Sequence, residues 1–257
     1  MGPAIATTAT DTAPSRTTIA SLARTATLLL AIAWSAGASA GAADVLARSR
    51  AVYAGLHAYS DTGTVVVEFG NAPTPSREQH AFRTWYRAPR LFRFDFTKAN
   101  QADRYEVWSD EQVFRTWWKA TGGTSTYPKG QGASAFTTGS VTTYGALTAI
   151  APWLFPQAGL TGTLTELGDA SDGGTEVVAG HPCHKIVGVA RSVYGATGRT
   201  TNVRHTTVWI DAKTLLVRRI LEDASEGRIV SRKTTSFEPV ADPPLEDAAF
   251  RFVPPAR

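Results

Sequence analysis

The side chains best suited to chemistry in this 257-residue chain fall into three groups. His181-Pro182-Cys183-His184, with His205 further on, brings together three imidazoles and the chain's one thiol, which are ligand types that zinc takes. Their spacing works against a compact site. Successive side chains of a strand point to opposite faces, so Cys183 and His184 diverge, and Pro182 fixes the backbone before them. A turn leading into a half-buried strand accounts for the same residues, and no metal is expected. The second group is the carboxylates Glu68, Asp95, Glu106 and Asp110, which stand singly beside arginines, as on solvated strand faces. There is no G-x-S-x-G elbow, P-loop, H-E-x-x-H or glycine fingerprint. The expectation is a protein that is not an enzyme and takes no cofactor.

The third group is aromatic. Between Phe82 and Trp118 lie 11 of the chain's 25 aromatic residues, so nearly half of its rings fall in one short stretch. Phe82, Trp85, Phe92, Phe94, Phe96, Trp108 and Trp117 are the expected ligand-binding set, forming an apolar surface for acyl chains. Burying one CH₂ contributes about 0.8 kcal/mol, so a long chain supplies on the order of 10 kcal/mol before ordering costs. The competing account is a plain core between sheet and helices. Rings fall on both parities, however, with Phe82 and Tyr86 opposite Trp85, and two apolar faces need two coverings. Nine Lys and Arg are interleaved from Arg77 to Lys119. They suit a soluble face with arginine stems packed over rings, and export makes nucleic acid a poor partner.

These residues are positioned by a β-rich chain. Residues 43–57 read as one amphipathic helix, with Val45, Ser49, Val52 and Leu56 on its stripe, Leu46 and Tyr53 widening it, and Asp44 near its start. Alternation then predicts strands at 62–69, 81–87, 91–96, 104–108 and 112–118, an antiparallel meander. Residues 119–139, with five Gly and one Pro, read as an unusually long loop. Residues 140–155 read as a second helix stopped by Pro156. Strands return at 161–167, 176–178, 183–189, 205–211, 216–222, 228–238 and near 250–253, with a hairpin turn at Asp211–Thr214.

The first forty residues carry Arg16 and Arg24, a short apolar run over 28–34, and the small-residue string ending Ala38-Ser39-Ala40. These are the parts of a removable secretory signal. The apolar run is well short of the roughly 20 residues that span a bilayer, so the mature protein is not expected to be integral to the membrane. Cleavage after Ala40 or after Ala43 fits the pattern equally; removing residues 1–40 leaves a single domain over 41–257 with 24 Lys/Arg against 21 Asp/Glu, a mild net +3 that selects no strongly acidic partner. No cysteine follows the cleavage site directly, so the end is not lipidated there, and the lone Cys183 excludes an internal disulfide.

Five segments carry a family resemblance. They are Leu56-His-Ala-Tyr59-Ser-Asp-Thr-Gly-Thr64, Tyr86-Arg-Ala-Pro89-Arg-Leu-Phe92-Arg-Phe94, Gly180-His-Pro-Cys-His184, Trp209-Ile-Asp211 leading to Thr214, and Asp247-Ala-Ala-Phe250-Arg-Phe252 leading to Pro254. In order and spacing the chain resembles the LolA/LolB-like superfamily of outer membrane lipoprotein carriers, in its exported branch of unknown function. The resemblance implies a curved antiparallel sheet forming an open half-barrel covered by helices, mainly β with two or so helices. It also implies a soluble periplasmic carrier, with lipid or acylated protein as cargo held on the concave face. An envelope stress sensor, or a structural module that binds an envelope protein partner, is the alternative the same fold allows.

Overall fold

The computed structural model describes residues 41–99, 103–110, 112–128, 130–194 and 200–255. The secretory signal expected over residues 1–40 lies outside them. Helix α1 (Ala42–Gly55) opens the described chain and buries Ala42, Val45, Ser49 and Tyr53; of the expected stripe Val52 is half-buried, and Leu56, which is buried, lies just past the helix end. It is fastened by polar contacts: the Ser49 hydroxyl donates to the Leu215 carbonyl at 2.7 Å, and the Tyr53 hydroxyl accepts from the Val217 amide at 3.1 Å.

Eleven antiparallel strands follow. They are β1 (Ala58–Asn71), β2 (Ser76–Arg87), β3 (Leu91–Thr97), β4 (Arg104–Asp110), β5 (Phe114–Trp118), β6 (Gly123–Tyr127), β7 (Leu167–Val178), β8 (His181–Tyr194), β9 (Thr200–Asp211), β10 (Val217–Asp223) and β11 (Ile229–Ala241). They form one open sheet in the order β6-β5-β4-β3-β2-β1-β11-β10-β9-β8-β7. Two consecutive meanders are thus joined at β1 and β11, which pair over thirteen positions from Tyr59 opposite Ala241 to Asn71 opposite Ile229. The sheet does not close, because its edges are β6 and β7. The chain between those edges folds as helices α2 (Gly132–Thr142), α3 (Ala146–Leu154) and the short α4 (Thr163–Glu166). The protein is therefore a curved, open half-barrel whose concave face is covered by a helical insertion.

One apolar core joins that face to the helices. Phe82, Phe92, Phe94, Val107, Val65, Val208, Ile220 and Phe237 come from the sheet, and Phe136, Leu147, Ile150, Trp153 and Leu154 from the insertion. Packing a sheet by its inward-facing alternate residues is what gives the strands their period of two.

Four sequence expectations need correction. The loop expected over 119–139 contains β6 and the first turns of α2, and its small residues pack: a Cβ on Gly139 would lie 2.5 Å from Leu147 and 2.8 Å from Tyr105. The single helix expected over 140–155 is two helices, broken where Tyr144 and Gly145 take left-handed backbone angles (φ 52° and 78°). The strand expected at 161–167 is mostly α4. The last expected strand, near 250–253, is instead an irregular tail that follows a 3-10 helix, Asp247–Phe250. No helix among the described residues is long and apolar enough to cross a membrane.

Candidate functional site

The seven expected ligand-binding residues divide between the two faces of the sheet. Phe82, Phe92, Phe94 and Phe96 share the concave face and are buried there. Their neighbours come from the insertion: the Phe92 ring lies 5.3 Å from Phe136 and 5.5 Å from Phe155, and Phe114 lies 5.3 Å from Phe136. The aromatic half of the concave face is therefore filled by the protein's own side chains.

Trp85, Trp108 and Trp117 have the opposite parity and lie on the outer face, where the C-terminal tail covers them. The Phe252 ring sits 5.0 Å from Trp108 and 5.5 Å from Trp117. Arg93 is stacked between Trp85 and Phe252, at 5.2 and 5.6 Å from the ring centres, and donates to the Arg251 carbonyl at 2.8 Å. Arg87 ties the tail further back, through the Leu245 carbonyl and the Asp247 carboxylate. Beneath this strap Glu106 is fully buried opposite Asp95. Burial and the facing Asp95 carboxyl push the Glu106 proton affinity well up, against the pull of Arg104 and Arg93.

The other candidate cluster does not converge. Cys183 is buried against Val178 and Trp209, and His181 faces Asp211 at 3.2 Å. Among the described residues no three His, Cys, Asp or Glu side chains could hold a metal ion together.

Open space lies elsewhere on the concave face. A cleft of about 950 Å³ runs between α2–α3, the 159–163 segment, and the sheet end formed by β1, β2 and β8–β11. Its apolar wall includes Val67, Phe69, Phe136, Val141, Tyr144 and Leu160. Phe69 and Val141 are 60% and 84% exposed, so this wall is not closed over. Tyr144 fastens the cover to β2: its ring stacks on His80 at 4.8 Å with the planes 4° apart. The buried His80 accepts from the Ala99 amide at 3.2 Å, and burial lowers its proton affinity despite Glu78 alongside.

The cleft's opposite wall is a charge network. Arg204 donates from Nε to Glu222 at 2.8 Å, from Nη2 to Glu166 at 2.6 Å and from Nη1 to the Ser192 hydroxyl at 2.8 Å. Lys233 contacts the second Glu222 oxygen, and the Thr163 hydroxyl donates to Glu222 at 2.8 Å. Burial alone would raise the Glu222 carboxyl, but Lys233, Arg204 and Thr163 outweigh it and hold it below its ordinary value, so it stays ionised.

No family model matches the sequence, and no curated protein matches it. Solved structures do. The chain is similar to LprF from Mycobacterium bovis at 12% identity, over 80% of this chain and 94% of that one, with a TM-score of 0.44. It is similar to a LolA superfamily protein from Nitrosomonas europaea at 6% identity, over 82% and 98% of the two chains, with a TM-score of 0.33. MucB, in its complex with MucA from Pseudomonas aeruginosa, matches at 16% identity, over 82% of this chain and 61% of that one, with a TM-score of 0.42. The superfamily expected from the sequence is thus represented among them. At these identities and TM-scores the likenesses transfer no activity, and the cleft has to be read from its own residues.

Sequence reasoning passed over Arg204, Glu222, Lys233 and Tyr144. A signal for the first three was present. Arg204 is in phase with the core residues Val208 and Ile210, Glu222 with Ile220, and Lys233 with Phe237. A charge repeated on the buried parity of several strands marks a polar site on the inner face.

Proposed function

We propose that this protein is a lipid- or lipoprotein-binding carrier of the cell envelope, holding an acyl chain in the concave cleft. The observation that carries this reading is the open cleft of about 950 Å³ left between the sheet and its helical cover. That is the size range of small-molecule sites, which pair a mostly apolar lining with a few polar groups that orient the ligand. The acyl chain lies along Val67, Phe136, Val141 and Leu160, and the polar end meets the Arg204–Glu222–Lys233 wall. None of the seven rings expected from sequence lines the cleft in this state. Phe82, Phe92, Phe94 and Phe96 become a floor for a longer chain when α2 lifts Phe136 away from them; Trp85, Trp108 and Trp117 support the sheet from outside. The reading is of an exported, periplasmic binding protein and not of an enzyme.

A second reading has one observation in its favour. The aromatic half of the concave face is filled by Phe136 and Phe155, which suits a sensor or interaction module that binds a protein partner.

Native mass spectrometry of the protein purified without detergent, followed by lipid extraction, separates the two. A stoichiometric acyl adduct supports the carrier. A mass that stays apo after incubation with phospholipid and lipopeptide overturns it. A variant localises the site: Val141→Asp, at an exposed position of the apolar wall, is expected to weaken a fluorescent acyl probe about tenfold. Its unfolding midpoint should be unchanged.

A further inference from the structure

The polar wall of the cleft bears on what kind of headgroup it admits. Among the described residues, the charged groups on the inner parity of the cleft or on its cover are three carboxylates (Glu78, Glu166, Glu222) and two cations (Arg204, Lys233), while Glu68 and Arg232, which also border it, pair on the opposite parity of β1 and β11. Each cation is already committed. All three donor nitrogens of Arg204 are engaged, by Glu222, Ser192 and Glu166, and its side chain is only 13% exposed. Lys233 sits against Glu222. Arg232 bridges Asp223 at 2.9 Å and Glu68 at 3.7 Å.

A phosphate entering this cleft would meet cations whose charge is already matched by carboxylates, two of them on the same guanidinium. To pair with Arg204 it would have to displace Glu166 or Glu222, and an uncompensated buried carboxylate is more costly than a new pair is favourable; at Lys233 it would lie beside the Glu222 carboxylate and be repelled by it. The remaining polar surface consists of neutral groups, including Ser76, Ser140, Thr161, Asn202 and Ser231. Hydroxyls and amides both donate and accept, so they match a hydroxyl-bearing headgroup without any change of partner in the charged network.

We propose that the cleft selects an amphiphile with an uncharged, hydroxyl-bearing headgroup and discriminates against one carrying a phosphate, because the Arg204–Glu166–Glu222–Lys233 network leaves no cation uncommitted. This rests on the carrier reading of the cleft and narrows it to a ligand class. The network acts as a filter: it presents charge to the ligand only in matched pairs, with a surplus of carboxylate that repels anions.

The test compares two ligands that differ by one group, 1-palmitoylglycerol and 1-palmitoylglycerol 3-phosphate, below their micelle-forming concentrations. Each is titrated against the full protein by displacement of the fluorescent acyl probe. The expected result is at least tenfold tighter binding of the uncharged glyceride. Equal or tighter binding of the phosphate overturns the inference while leaving the carrier reading standing. If neither glyceride displaces a probe that does bind, headgroup selection is again overturned and acyl binding survives. If the probe and both glycerides all fail to bind, the carrier reading falls and the inference with it. A variant tests the cause: Glu166→Gln, near the rim of the network, releases Arg204 Nη2 from its carboxylate. It should raise the affinity for the phosphate relative to the uncharged glyceride about tenfold. An unaltered ratio in folded Glu166→Gln shows that the network is not the filter.

Discussion

At the scale of single residues, the concave core carries a carboxyl that opposes stability near neutral pH. Asp61 is buried on β1; its Oδ2 accepts from the Tyr59 hydroxyl at 2.7 Å, while Oδ1 has no hydrogen-bond partner among the described residues. Burial pushes its pKa up to about 6, against the Tyr59 and Thr84 groups beside it. The folded protein therefore keeps this proton through a range in which the unfolded chain, with the ordinary value near 3.8, has lost it. The folded state binds more protons there, so Asp61's contribution to stability falls as pH rises from about 4 to about 6 and is constant above. Asp61→Asn keeps an acceptor for Tyr59 and removes the titration. Denaturant unfolding of Asp61→Asn is expected to show a shallower decline across that window and a gain of about 1–3 kcal/mol at pH 7.5. Identical pH profiles for variant and parent would place the titration on another group. Burial moves the Glu106 carboxyl in the same direction on the outer face, so some decline remains in the variant up to higher pH.

At the scale of elements, the insertion between β6 and β7 was the hardest part to read in advance. The strands were legible because Phe92, Phe94, Phe96 and their counterparts alternate cleanly. Residues 119–139 were not, because Gly132 and Gly139 give them the composition of a loop. Their smallness is instead a packing requirement set by distant rings such as Phe114 and Tyr105, which no local window contains. Pro152 shows the same dependence. It lies inside α3, where it has no N–H to offer the Thr148 carbonyl one turn back. Gly162, from the segment that leads into α4, packs directly on that carbonyl, and a Cβ there would come within 2.2 Å of the oxygen. Gly162→Ala must therefore push the 159–163 segment off α3, at a cost of about 1–3 kcal/mol. That segment is one wall of the cleft, so the variant should also loosen acyl-probe binding. A destabilisation under 0.5 kcal/mol, measured by denaturant unfolding, would mean that the segment and α3 are not in contact in solution.

At the scale of the whole molecule, an open sheet with rings on both parities has two apolar faces to hide, and the chain hides them by separate means. The helical insertion covers the inner face, and the tail after β11 covers the outer one. The need for two coverings was visible in the alternation of Tyr86 with Trp85; which segment supplies the second was not, since Phe250 and Phe252 read as one more strand. Nor could spacing along the chain bring Arg204, Glu222 and Lys233 together, because that cluster exists only through the pairing of β9, β10 and β11. The outer covering is slight: one half-buried ring over two tryptophans, fastened by Arg93 and Arg87. Phe252→Ala should therefore cost about 1–3 kcal/mol, less than a fully enclosed ring. It should also shift tryptophan emission to longer wavelength as Trp108 and Trp117 meet water. Val253→Ala, at a neighbouring position that is 84% exposed, serves as the control and should change neither. If Phe252→Ala matches that control in both stability and emission, the tail does not cover the outer face in solution, and Trp85, Trp108 and Trp117 are instead an exposed apolar surface large enough to need a partner.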